Sequence, residues 1–249
     1  MEVIVTQPEE LDRRGADIVA GWLGPRPGGA ILPALGTSAL GVYRELAALR
    51  DAGGLDTSEL RLVQLDEYVG LEPGDPRSLR GWLERDVAVP LGIPRERVVD
   101  LPSDPPDVAA ACRAYDAAVV GLGGIDVAVL GLGPNGHLGF NEPPSGPTAP
   151  TRRIALSEAS IESNAAYWGT RAAVPTHALT AGMDVVLAAR RSLLVVVGSG
   201  KVAILRRLIT ELPSDDLPAS HLRQVPGAVL LADMAAWPPD VPVPADLAG

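Results

Sequence analysis

Short runs of branched apolar residues recur along this chain, and most are followed by a stretch with helical spacing. The runs fall at 2–6, 30–35, 60–65, 97–101, 126–130, 152–156, 192–197 and 228–232. Such runs are too brief for helices, and their Val, Ile and Leu content suits strands covered on both faces. Between them, Leu11, Ile18, Val19 and Trp22, then Val42, Tyr43, Leu46 and Leu49, then Leu79, Trp82, Leu83 and Val87 repeat at the interval of one helix face. Helices are expected over 8–23, from about 39, over 76–89, 105–120, 180–189 and 202–212, with a short one at 219–222. Strands that alternate with crossover helices lie parallel in one sheet. The expected fold is therefore α/β, a single-domain, doubly wound, mostly parallel sheet with helices on both faces. No internal repeat or long linker divides the 249 residues, so 1–249 reads as one domain with a loose, proline-rich tail from about 237. The Ser, Asn and Gly content of 157–175 suggests a mobile segment.

Composition narrows the function. A formal net charge of −10 with no basic stripe argues against nucleic acid and anionic membrane as partners. One cysteine, Cys112, rules out an internal disulfide and a Cys-based metal site, and makes a reducing cytoplasm the default location. Glu2 and the early acidic residues do not fit a secretory leader. No apolar run reaches the ~18–20 residues of a membrane span. Aromatics make up only 4% of the chain, so the core must be mostly Leu, Val, Ile and Ala.

The polar residues fall just after the strands. The run 126–130 opens into Gly131-Leu132-Gly133-Pro134-Asn135-Gly136-His137-Leu138-Gly139-Phe140-Asn141-Glu142-Pro143, whose glycines and prolines forbid a regular element. It places His137 five positions before Glu142. A carboxylate that orients an imidazole makes a proton-transfer pair near neutral pH. A solvated loop whose histidine satisfies a backbone group fits the same residues. Asp66 and Glu67 follow the third strand, as catalytic carboxylates or as a solvated strand end. Gly36-Thr37-Ser38 follow the second strand, as an anion cradle or a plain helix cap. Gly198-Ser199-Gly200-Lys201 repeats the strand–turn–helix arrangement. A lysine at a helix start opposes the dipole, so it is either indifferent and exposed or a partner for an anion. In a parallel sheet all these positions share the edge where ligands bind.

Two of these stretches carry a resemblance. Leu65-Asp66-Glu67-Tyr68-Val69-Gly70-Leu71 and the 131–143 segment closely resemble the signature segments of glucosamine-6-phosphate deaminases, and the likeness runs from about residue 2 to about 236. It implies the fold shared with sugar-phosphate isomerases and phosphogluconolactonases. It also implies a reaction without a cofactor, in which an amino-sugar phosphate and water become a ketose phosphate and ammonia. By resemblance, Asp66, Asn135, His137 and Glu142 are catalytic, and Gly36, Thr37, Ser38, Glu67, Gly136 and Lys201 bind substrate. No metal is implied. Many relatives have Asp at the position of Asn135, while some have Asn. Asn orients a ring without lending charge to an imidazolium.

The phosphate end departs from the family. Relatives usually carry a Thr/Ser-Gly-Gly-Thr/Ser-Pro turn where this chain reads Ala34-Leu35-Gly36-Thr37-Ser38. The arginine of their Asn-Xaa-Arg-Phe-Phe stretch corresponds to Ala166 in Asn164-Ala165-Ala166-Tyr167-Trp168. Arg153 and Arg171 are the cations near enough in sequence to substitute. The expectation is a deaminating aldose–ketose isomerase that either binds glucosamine 6-phosphate weakly, with phosphate binding reduced at least about tenfold, or prefers a related amino sugar lacking the 6-phosphate. A non-catalytic sugar-binding protein and a sugar lactonase are the alternatives. The resemblance also allows a homo-oligomer.

Overall fold

Strands and helices alternate in the computed structural model, which describes residues 1–72 and 74–243. In chain order the elements are β1 Glu2–Thr6, α1 Leu11–Leu23, β2 Ala30–Pro33, α2 Thr37–Asp51, β3 Arg61–Val63 and β4 Asp66–Tyr68. Next come α3 Leu79–Leu83, which runs through a π-helical turn at Glu84–Ala88 into α4 Val89–Leu91, then β5 Val98–Val99, α5 Val108–Gly121 and β6 Val127–Gly131. The last part comprises β7 Arg152–Ala155, α6 Glu158–Trp168, β8 His177–Thr180, α7 Met183–Leu187, β9 Arg191–Val196, α8 Val202–Thr210 and β10 Ala228–Asp233.

Seven strands form one sheet in the order β1-β10-β9-β6-β2-β3-β5, and every pair is parallel. The residues of each strand alternate between two cores. Ile31, Val127, Val129, Leu193 and Val195 face one side with α1 and α2. Leu32, Ala128, Leu130, Leu194 and Val196 face the other with α5, α7 and α8. Burial on both faces is why these strands read as continuous apolar runs. On the first face α1 and α2 approach closely at Gly41, where an added Cβ would fall 1.7 Å from the Asp12 carboxylate.

Four expectations change. The run 60–65 stops early, because β4 leaves the main sheet and pairs antiparallel with β8 in a second sheet of order β4-β8-β7. The Gln64 amide caps that departure, donating to Asp66 O at 2.8 Å. The helix expected over 180–189 starts only at Met183, since Ala178, Leu179 and Thr180 are a buried strand. A four-residue strand running into a five-residue helix has too little of either period to separate by pattern. Residues 158–168, within the stretch given no element and read as a mobile segment, form a helix, with Ser157 Oγ capping the first turn by accepting from Ser160 N at 3.2 Å. The tail expected to loosen at 237 stays packed there: Trp237 is buried and its indole N–H donates to Val241 O at 2.9 Å. Residues 244–249 lie outside those described.

Candidate active site

The loop after β6 is shaped by two close approaches. His137 lies flat against Gly133, where a Cβ would sit 2.1 Å from the ring, so no other residue fits there without moving the imidazole. Gly136 has φ +88, and a Cβ on it would meet Leu217 at 2.2 Å, while its carbonyl accepts from Ala219 N at 2.9 Å. The loop is thus clamped against the segment before β10. That contact places Gly136 behind the site rather than on its surface.

The imidazole is held from one side. His137 Nδ1 lies 3.3 Å from Glu142 Oε2 and 3.4 Å from Ser160 Oγ. Asn135 Nδ2 donates to the same Glu142 oxygen at 2.7 Å, and its Oδ1 accepts from His137 N at 3.3 Å. Ser157 N donates to Glu142 Oε1 at 3.3 Å. Burial works to raise the Glu142 pKa. The hydrogen bond and charge of His137, with bonds from Ser160 and Asn135, outweigh it and hold the carboxyl down at about 2. Glu142 is therefore an anion at any working pH. With Nδ1 engaged, Nε2 is the nitrogen that exchanges a proton with a ligand.

His137 faces a cavity of about 240 Å³. Gly36, Thr37 and Ser38 reach it from the start of α2, Asp66 from β4, and Lys201 from the turn before α8. These elements are far apart in sequence, and the parallel sheet brings their ends to one edge. Asn135 and Glu142 stand behind His137 and do not line the cavity. Asp66 is 7% exposed, and burial, followed by the charge of Glu67, pushes its pKa up to about 8. Lys201 Nζ donates to Leu132 O at 2.7 Å, and burial lowers its pKa. That backbone carbonyl is the partner that a lysine at a helix start requires.

Glu67 differs from the expectation that it touches substrate. Adjacent strand residues point to opposite faces, so with Asp66 in the cavity Glu67 turns away. Its carboxylate accepts from Tyr68 N at 2.8 Å, Leu79 N at 3.0 Å, Arg80 N at 2.9 Å and Gln64 Nε2 at 3.1 Å. It anchors the start of α3 and sets the field around Asp66. Arg171 does not reach the cavity either, because it pairs with Glu158 and with Glu162 at 3.5 Å. Arg153 is exposed on β7, and Ala166 is exposed beside the lining face of α6.

Sequence reasoning missed the α6 face. Ser160, Ser163, Asn164 and Tyr167 all line the cavity. Their spacing of three, four and seven is helical, but the residues are polar and gave no apolar stripe to detect. Trp82 was read only as a core residue, yet it lines the cavity from α3. Among the described residues, no group of three or more His, Cys, Asp or Glu is placed to hold a metal ion.

A buried carboxylate and a carboxylate-held imidazole share one small polar cavity at the C-terminal edge of a doubly wound sheet. That combination defines an α/β protein equipped to move protons on a small polar ligand. Residues 34–231 match the family described as glucosamine-6-phosphate isomerases/6-phosphogluconolactonase, and the chain belongs to that family. It is 39% identical to a glucosamine-6-phosphate deaminase of Streptomyces coelicolor, over 89% of this chain and 85% of that protein. It is 34% identical to one from a Geobacillus species, over 92% and 91%. A solved structure of a monomeric glucosamine-6-phosphate deaminase superposes with a TM-score of 0.91 at 32% identity, covering 95% of this chain and 98% of that one. The 6-phosphogluconolactonase of Leishmania guyanensis, at 18% identity and a TM-score of 0.72, shares the fold.

Proposed function

We propose that this protein is a deaminating aldose–ketose isomerase of an amino sugar, working without a cofactor. The observation that carries the reading is that Asp66 and His137 line the same cavity. The sugar ring must first open. His137 Nε2 shuttles the proton between the anomeric hydroxyl and the ring oxygen, while Glu142 and Asn135 hold the ring in place. The open-chain aldehyde acidifies the proton on C2. Asp66 takes that proton and returns it to C1, while O1 gains the proton that the C2 ammonium gives up, which leaves a C1 hydroxyl and an iminium at C2. Water adds there, ammonia departs, and the products are the ketose and ammonia.

The raised pKa of Asp66 gives the site a reason to favour amino sugars. With a pKa of about 8 the carboxyl is only about a tenth ionised at pH 7 in the empty site. An ammonium on C2 of a bound sugar brings a cation to that carboxyl, which favours its ionised form. The substrate's own charge therefore arms the base, and a neutral aldose does not. Cys112, buried and unpaired, is compatible with a reducing cytoplasm. Among the described residues, no helix is long and apolar enough to cross a membrane.

The test is ammonia release on incubation with glucosamine 6-phosphate, glucosamine and their galactose-configured counterparts. Release from at least one of them is expected. Failure with all four would sink the reading.

A further inference from the structure

Asp66 and Glu67 are adjacent buried carboxyls on a strand that has just left the main sheet. One side chain joins them. Gln64 is 1% exposed, and its amide lies where β4 departs from the β3–β5 edge. Its Oε1 accepts from Leu101 N at 3.2 Å, just past the end of β5. Its Nε2 donates to Asp66 O at 2.8 Å and to Glu67 Oε2 at 3.1 Å. The Gln64 backbone is fixed as well, with N donating to Val99 O at 2.8 Å and O accepting from the Tyr115 hydroxyl at 2.7 Å. This buried junction presents one N–H and two acceptor oxygens. A side-chain amide offers the matching acceptor and two donors together. A carboxylate would have no donor for the oxygens, and an ammonium no acceptor for Leu101 N.

Glu67 has no cation beside its carboxylate. Among the described residues no ion pair joins it, and its donors are three backbone amides and Gln64. Burial raises the Glu67 pKa, and those bonds hold the rise back. Gln64 is the one side chain among them. The Glu67 charge in turn adds to the rise at Asp66. The other titratable or charged groups nearby leave this arrangement uncancelled. The Arg80 guanidinium on α3 is turned to Asp100 at 2.6 Å. Tyr68 on β4 and Tyr115 on α5 are held neutral by burial. His137 and Lys201 reach the Asp66 side from across the cavity. Opposite β4, β8 contributes Thr180, Leu179 and Ala178, none of them titratable.

We propose that Gln64 is a positioning residue for the proton transfer: its amide fixes the β4 backbone at Asp66 and holds Glu67 as an anion without a counter-ion beside it. The bond to Asp66 O sets where that side chain enters the cavity. The bond to Glu67 keeps a like charge next to Asp66, which makes its carboxylate a stronger base once a bound ammonium has ionised it. The proposal rests on the deaminase reading for the role of Asp66, but the contacts and charges it concerns are measured without substrate.

The experiment is a carbon-13 NMR titration of the Asp66 and Glu67 carboxyls in the wild type, Gln64→Met and Gln64→Asn, with ammonia release followed for the same proteins. Asp66→Asn and Glu67→Gln assign the two signals. Gln64→Met keeps the length and removes the amide. Glu67, short of a donor, is expected to titrate at higher pH. Asp66, with less like charge beside it, is expected to titrate at lower pH. The rate constant kcat is expected to fall about tenfold or more with KM little changed, because the base is misplaced. Gln64→Asn holds an amide one methylene short and is expected to shift the same quantities less. It keeps the test available if Gln64→Met, which leaves Leu101 N unpaired, does not fold. A folded variant whose two titrations stay at their wild-type positions overturns the proposal, and so does one that keeps the wild-type kcat. A loss of thermal stability with titrations and kcat unchanged reduces Gln64 to a structural role and overturns it too. Absence of ammonia from the wild type with shifted titrations sinks the deaminase reading and leaves the hold of Gln64 on the two carboxyls standing.

Discussion

Around and behind the His137 wall of the cavity, His137, Glu142, Asn135, Ser157 and Ser160 form a connected, partly buried set of hydrogen bonds. Elsewhere in the cavity lining, α3 and α6 offer the exposed or half-exposed side chains of Trp82, Ser163, Asn164 and Tyr167. The proposed proton transfer needs a donor and acceptor held in fixed positions, and a network in which each member is hydrogen-bonded holds them so. The α3 and α6 side chains must only fit a ligand, so they are exchangeable without disturbing the core. The contrast explains how a chain can keep a family's proton-transfer residues while changing the residues that read the substrate.

The largest effect that tests this contrast is at Asp66. Asp66→Asn keeps the shape and removes the group proposed to carry the C2 proton. The rate constant kcat should fall by more than about a hundredfold, the range typical of a positioned base, with ligand affinity nearly intact. Single-turnover kinetics with calorimetry would check it, and a variant retaining more than a hundredth of the rate would remove Asp66 from the mechanism. Gly133→Ala should come next. The added methyl displaces the imidazole it would otherwise touch, so kcat should drop about ten- to a hundredfold while circular dichroism is unchanged. An equal loss of sugar binding would show that the loop, rather than the ring, had moved.

A gain of function at the recognition end should be smaller. Ser163 lines the cavity and is exposed, so Ser163→Arg adds a cation with room to point inward. Affinity for glucosamine 6-phosphate should rise about tenfold, with glucosamine unchanged. Ala166→Arg, starting beside the lining face, should give less. Equal gains for both sugars would mean that the arginine acts by closing the site and not by charge.

The smallest expected effect concerns pH. Asp66 must be ionised to take a proton, and its pKa is raised to about 8. The quantity kcat/KM should therefore rise with pH through about 8 and level off above it. Glu67→Gln removes the second cause of that rise, so the acid limb should move to lower pH while KM stays nearly constant. A limb that does not move would show that burial alone sets the Asp66 pKa. A rise in KM would put Glu67 in contact with substrate after all.

The alternation of apolar runs and helical faces made the doubly wound sheet legible, because strands buried on both faces leave a signal that few other arrangements share. The 131–143 loop was legible for a related reason. Its glycines mark close approaches that only a folded site demands, as at Gly133 beneath the His137 ring. The small second sheet was not legible. Its strands span three and four residues, and pairing Asp66–Tyr68 with His177–Thr180 depends on partners over a hundred positions away. Glu67 was misread for that reason, since the face a strand residue takes depends on the sheet it joins.

Local chemistry in the sequence therefore determined which residues are titratable and that the loop after β6 carries His137. Tertiary structure decided what those residues meet. It buried Asp66 beside Glu67, put Nδ1 of His137 against Glu142, and tied Lys201 to a backbone carbonyl. It also turned the polar face of α6 and the ring of Trp82 toward the same cavity. The physical reason is one of range. Strand and helix periods are set by neighbours a few residues apart, whereas burial, charge pairing and the walls of a cavity arise only when distant segments pack.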